Sequence, residues 1–173
     1  MKFGEGRLGK IHVIHIDRDE DLLESMKEYI AMKGIVNGVI LTGFGTLDRA
    51  RLHAINTVGL PPYDEFITVE GPIEVTSIDG IIANGVVHAH YEMSNREGSF
   101  GGHLEPGCRT LYLNDVVLAE IEGMDMQFEV EPETNLRLLA IKSGSRMEGP
   151  AVEKDEKGDF KVVGRNIGWK RNE

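Results

Sequence analysis

The sequence predicts an α+β domain on a mainly antiparallel β-sheet, with one principal helix near the N-terminus. Three observations carry this. A single early stretch has apolar residues at helical spacing, and after it the apolar period falls to two. The period-two segments are separated by short turns bearing glycine or proline. The third is length: 173 residues can bury a real core but argue against two independent domains.

The elements follow in order. Residues 10–16, KIHVIHI, alternate as a strand does. Acidic residues come next, with Asp19 or Asp21 suited to an N-cap. Leu22, Leu23, Met26 and Ile30 then mark a helix running to Lys33, and Gly34 stands where a C-cap belongs. Residues 38–42 and 49–56 read as two strands flanking a turn at Gly43-Phe44-Gly45. Pro61 and Pro62 keep the segment 58–64 out of any central strand. Further strands are expected at 65–70, 73–78, 80–84, 86–93, 111–122, 126–131 and 136–142, with a hairpin signalled by Asp79-Gly80. Residues 1–142 thus form the domain. Residues 143–173 form a C-terminal extension whose Phe160, Val162, Val163, Ile167 and Trp169 suit an arm packing on the body or on a neighbouring subunit.

Composition narrows the functional classes. Nineteen Lys and Arg against 29 Asp and Glu give a net charge of −10. Residues 143–173 hold seven basic and six acidic side chains, so the first 142 carry 12 − 23 = −11. An acidic body repels nucleic acid from most directions. A single cysteine, Cys108, excludes an internal disulfide and every multi-cysteine zinc module. No apolar run approaches the roughly 20 residues of a membrane-spanning helix, and the opening MKFGEGRLGK does not read as a signal peptide. The expectation is a cytoplasmic protein without membrane partners.

The informative segment is 85–107, GVVHAHYEMSNREGSFGGHLEPG. On a strand, Val86, His88, His90 and Glu92 share one face, while Val87, Ala89, Tyr91 and Met93 share the other, which is the natural core face. Two imidazoles at i and i+2 can converge on one ion. The loop that follows returns the chain to His103, where Gly101 and Gly102 permit an unusual conformation and a close approach. A third imidazole then completes a facial set for Zn²⁺, which takes three nitrogens at about 2.0–2.1 Å and leaves a fourth position open. Ligand type alone leaves Ni²⁺, Co²⁺, Fe²⁺ and Cu²⁺ as alternatives. The plain alternative is three surface histidines. A cupin pattern is excluded, because no Glu follows His90 at three or four residues and Pro106-Gly107 lies after His103.

The order and spacing of GVILTGFGTLDRARL, EGPIEVTSIDGII, HAHYEMSN, GGHLEPG and NDVVLAEI resemble the PPC domain, named for its occurrence in plants and prokaryotes, from about Gly9 to about Glu131. The resemblance implies a small α+β domain with a mainly antiparallel sheet, assembled as a homotrimer. It also implies a metal centre, with zinc as the ion and His88, His90 and His103 as ligands. In plants the domain accompanies AT-hook motifs in nuclear proteins. This chain has no Arg-Gly-Arg-Pro hook and no basic arm, which disfavours direct DNA binding.

Gly43-Phe44-Gly45 lacks the third glycine and the following helix of a dinucleotide loop. His12, His15 and His53 read as structural, and Cys108 as a small buried residue. Arg49 and Arg51 share a strand face that suits an anion clamp or, more simply, pairing with the acidic body. Glu92 and Glu105 are candidate catalytic residues, as orienting acceptors for a ligand histidine or as general bases, and the plainer reading of each, slightly favoured, is a solvated surface carboxylate. The leading expectation is a homotrimeric metal-binding module for an unknown small molecule or protein. The alternative is a metal-dependent hydrolase or hydratase using a water bound to the three-histidine site. A DNA-associated regulator ranks third.

Overall fold

The computed structural model describes residues 3–142, 151–154 and 160–163. The chain divides into two compact units, Met1–Lys142 and Ser143–Glu173.

In the first unit, β1 (Arg7–Asp17) leads into α1 (Leu22–Lys33). Asp21 caps the helix by accepting hydrogen bonds from Leu23 N and Glu24 N, while Gly34, at φ 65°, ends it in the left-handed conformation. The apolar stripe Leu22, Leu23, Met26 and Ile30 is buried. Helix and stripe stand where the spacing placed them.

Seven further strands follow: β2 (Gly38–Ile55), β3 (Asp64–Ala83), β4 (Val86–Asn95), β5 (Gly98–Leu104), β6 (Arg109–Glu122), β7 (Asp125–Val130) and β8 (Arg137–Lys142). Six strands make one antiparallel sheet in the order β1-β6-β2-β3-β4-β5, and β5 pairs back onto β2. The ring β2-β3-β4-β5 therefore closes on itself like a small barrel. Strands β7 and β8 form a separate antiparallel ribbon. Inward residues of the sheet, among them Ile16, Leu47, Leu52, Ile73, Ile78, Tyr91, Met93, Leu104 and Leu118, join the helix stripe in one core. This is the predicted α+β class, with antiparallel strands dominant.

Three local expectations are corrected. The stretch 38–56 is not two strands around a turn: β2 runs straight through Gly43-Phe44-Gly45. Those glycines serve close approach instead. A Cβ on Gly43 would lie 2.7 Å from Ile78, and one on Gly45 would collide with Asn114. Nor does the β3–β4 hairpin turn at Asp79-Gly80, which sit inside β3. It turns at Asn84-Gly85, both with positive φ, where Ala83 faces Val86. The expected strands at 65–70, 73–78 and 80–84 are consequently parts of one long strand. Finally, the return to His103 is a second hairpin. Asn95 faces Gly98, and the Asn95 carboxamide accepts from Glu97 N and Gly98 N.

The second unit contains an antiparallel pair, β9 (Ala151–Lys154) and β10 (Phe160–Val163). The remainder of the predicted arm, including Ile167 and Trp169, lies outside the described residues.

Candidate metal centre

Alternation on β4 sets the first two imidazoles. Ala89, Tyr91 and Met93 are buried, which turns His88, His90 and Glu92 to the outer face of the closed ring. Strand β5 then slots between β4 and β2. Gly101 and Gly102 make this fit, since a Cβ on either would lie 2.6 Å from Tyr91 O or 2.7 Å from His53 O, respectively. The expected close approach is present, and neither glycine has the positive φ that an unusual backbone would show.

Register does the rest. His103 faces His90 across β4–β5 and faces His53 across β2–β5, while His90 faces Asp79 across β3–β4. Adjacent strands are about 4.8 Å apart, so these side chains form one row across the outer surface. The His53 and His103 rings stack at 4.3 Å between centroids, and the His88–His103, His88–His90 and His90–His103 separations are 5.0, 5.4 and 5.4 Å. The structure thus brings His88, His90 and His103 together and adds His53.

Glu105 anchors one side. Its Oε1 lies 2.7 Å from His53 Nδ1 and 3.2 Å from His103 Nδ1. The first contact is a hydrogen bond, whereas the buried Nδ1 of His103 has no aligned partner. With both Nδ1 atoms turned to one carboxylate, the two Nε2 atoms face away from it. On the next strand, His88 Nε2 and His90 Nε2 are 3.3 Å apart, a pair that must share either a proton or a cation. Within the group His53, His103 and Glu105, ligand atoms lie within 4.8 Å of one another. The donors fit a borderline divalent transition metal: several imidazoles, one carboxylate and no thiolate.

Electrostatics prepares the nitrogens for that role. Burial, then the neighbouring imidazoles His53, His88 and His90, push His103 down to about 4 despite the opposing pull of Glu105. Burial and then His90 and His53 also lower His88. Neutral imidazole is the form that ligates metal.

The remaining candidates separate cleanly. Glu92 is exposed and lines an open groove of about 410 Å³ with Ser77, Asp79, His90, Tyr91, Gly101 and Gly102. His12 bonds Tyr29 Oη and Glu120, and His15 bonds Asp115, so both are structural. Cys108 is fully buried, its thiol donating toward the Arg51 and Glu105 carbonyls, and burial pushes its pKa up. Arg49 pairs with Glu70 at 3.4 Å, the plainer of its two readings. His53 was missed because its partner is fifty residues away in sequence. The signal was the alternation of 50–53, where buried Ala50 and Leu52 leave Arg51 and His53 outward.

Comparison with known proteins agrees with the fold. The chain is 25% identical to a plant- and prokaryote-conserved (PPC) protein from Pyrococcus horikoshii, with a TM-score of 0.69 over 81% of this chain and 97% of that one. It is 21% identical to the metal-containing protein AF0104 from Archaeoglobus fulgidus, with a TM-score of 0.70 over 81% and 99% of the two chains. It also matches a bifunctional protein GlmU from Synechococcus at 24% identity over 134 residues, which is 77% of this chain. The chain spans only about a fifth of the length of such curated relatives. The profile of the Plants and Prokaryotes Conserved (PCC) domain matches residues 3–122, and the chain therefore belongs to that family.

Proposed function

We propose that this chain is a homotrimeric metal-binding module of the cytoplasm, holding zinc through His88, His90 and His103 and presenting the surrounding rim to a small-molecule or protein partner. The observation that carries the reading is the approach of one carboxylate, Glu105, to both His53 and His103, with the His103 ring 5.0 Å from that of His88 and 5.4 Å from that of His90. A carboxylate behind a ligand imidazole fixes its tautomer and orientation. Glu105 serves that purpose and is thereby occupied, which makes it a poor general base. When bound, the ion would supply a Lewis-acid position open to one further ligand.

Metal quantification on the purified chain tests this. About one ion per chain is expected in wild type, and a near-complete loss in His88→Ala. Equal, substoichiometric metal in both would end the reading. The cluster of His53, His103 and Glu105 supports a second ligand set. If His53 lies behind the ligands, His53→Ala lowers affinity by roughly 10- to 100-fold without abolishing binding. If it is a ligand, His53→Ala abolishes binding and His90→Ala spares it.

The groove beside His90, with Glu92 and Asp79, supports a metal-dependent hydrolase as the alternative. Turnover of a hydrolase substrate panel that vanishes with the metal would promote it. Direct nucleic-acid binding is disfavoured by the charge of −11 on residues 1–142. Any DNA affinity would have to fall steeply with salt to count as phosphate contact.

A further inference from the structure

Strands β2 and β6 carry three arginines, and one of them makes no ion pair among the described residues. Arg49 reaches Glu70 at 3.4 Å, and Arg109 reaches Asp48 at 2.8 Å. Arg51 is exposed on β2 two residues from His53, on the same face, about 6.5–7 Å along the strand. Among the described residues it makes no ion pair. Glu105, whose N–H donates to Arg51 O, directs its carboxylate to the imidazoles instead, 2.7 Å from His53 Nδ1 and 3.2 Å from His103 Nδ1.

Arg51 is nonetheless held in place. Its stem lies against Gly107, where a Cβ would meet Arg51 Cδ at 3.4 Å. Its guanidinium sits 5.8 Å from the centroid of the Phe66 ring, an arrangement that orients an arginine without neutralising it. Phe66 in turn lies 5.4 Å from the His53 ring, which stacks on His103. At the other end of the histidine patch, Phe128 of β7 lies 5.5 Å from His88. Four imidazoles are therefore bracketed by two phenyl rings, and an unneutralised, aromatic-supported fork stands at one edge.

We infer that Arg51 and Phe66 form the recognition arm of this site for a small organic anion, a carboxylate on an apolar or aromatic body, whose charged end spans the guanidinium and the metal position. The inference rests on the metal-binding reading above. A guanidinium fork matches a carboxylate or phosphate in two parallel hydrogen bonds, and the exposed part of the Phe66 side chain supplies the apolar contact. A cationic ligand would instead favour the Asp79 and Glu92 side of His90.

The test uses the full chain loaded with Co²⁺, titrated with benzoate, inorganic phosphate and benzylamine while the visible cobalt absorption is followed. Wild type and Arg51→Gln should bind equal amounts of cobalt. Benzoate should perturb the band of wild type with at least tenfold higher affinity than that of Arg51→Gln, with Arg51→Lys in between. Phosphate should bind more weakly than benzoate, and benzylamine should leave the band unchanged. Equal benzoate affinity in wild type and Arg51→Gln overturns the inference while leaving the metal reading intact. Benzylamine binding as well as benzoate overturns it too, and phosphate binding more tightly than benzoate removes the apolar body from the ligand class. Failure of wild type to bind cobalt refutes the metal reading and this inference with it.

Discussion

A proton and a metal ion would compete for the same nitrogens, and at His103 the fold already disfavours the proton. Its folded-state value of about 4 lies below the unfolded value of 6.5. The stability this shift represents is therefore whole above pH 6.5. It erodes as the pH falls toward 4, because the unfolded chain takes up a proton that the buried ring refuses. Between pH 7 and pH 4.5 the metal-free protein should lose about 2 kcal/mol through this residue, discounted for a ring one-quarter exposed. His103→Gln should shrink the pH dependence by about that amount in urea unfolding of the metal-free chain, and an unchanged pH dependence would refute the assignment. The site was legible at this scale wherever it depended on period two. His88 and His90 follow from Ala89, Tyr91 and Met93 facing the core, whereas Glu105 was left open between an orienting acceptor, a general base and a plain surface carboxylate. His53 was not legible as a neighbour, since only the pairing of β2 with β5 brings it to His103.

Among the elements, the helix and the segment after β5 are joined by one carboxylate. Asp21 accepts from Leu23 N and Glu24 N at 3.1 and 3.0 Å, and from Gly107 N at 2.7 Å. Asp21→Ala removes the cap and strands three donors, so it should cost about 2 kcal/mol in chemical denaturation, the upper end for a lost cap. A loss below about 0.5 kcal/mol would show that water replaces the carboxylate without penalty. The chain connecting His103 to β6 is tied to α1 here, which makes the cap a support for the site as well. The helix was legible in its stripe and its C-terminal glycine, while its start was left between Asp19 and Asp21, of which Asp21 is the cap. Turns were less so. Gly43, Gly45 and Gly80 look like turn residues in one dimension, yet each lies where a neighbouring strand or side chain leaves no room for a Cβ. Local composition cannot distinguish a glycine needed for bending from one needed for contact. Asn84-Gly85 is a hairpin dipeptide of the same kind as Asp79-Gly80, and both of its residues have the positive φ of a tight turn.

For the molecule as a whole, what stays uncovered matters as much as what is buried. Among the described strands β1 is an edge of the six-stranded sheet, paired only with β6. Its Ile14 and Ile16 are buried, but Ile11 and Val13 on the opposite face are 64% and 68% exposed. Leu113 on β6 and Leu41 and Phe44 on β2 are exposed as well. An edge strand with apolar outward residues invites pairing unless something covers it. A homotrimer does this with a closed ring of identical contacts, in which one patch meets a different patch on the next subunit. Such closure also suits a body of charge −11, since burying an apolar face brings together few of its carboxylates. Sizing with light scattering at micromolar concentration should give about three times 19.2 kDa. Val13→Glu, which puts a carboxylate into that face without touching the core, should shift the population to the single-chain mass with the metal content per chain unchanged. A wild type of single-chain mass would refute the trimer. A variant that lost its metal along with its partners would instead place the centre under the control of the assembly.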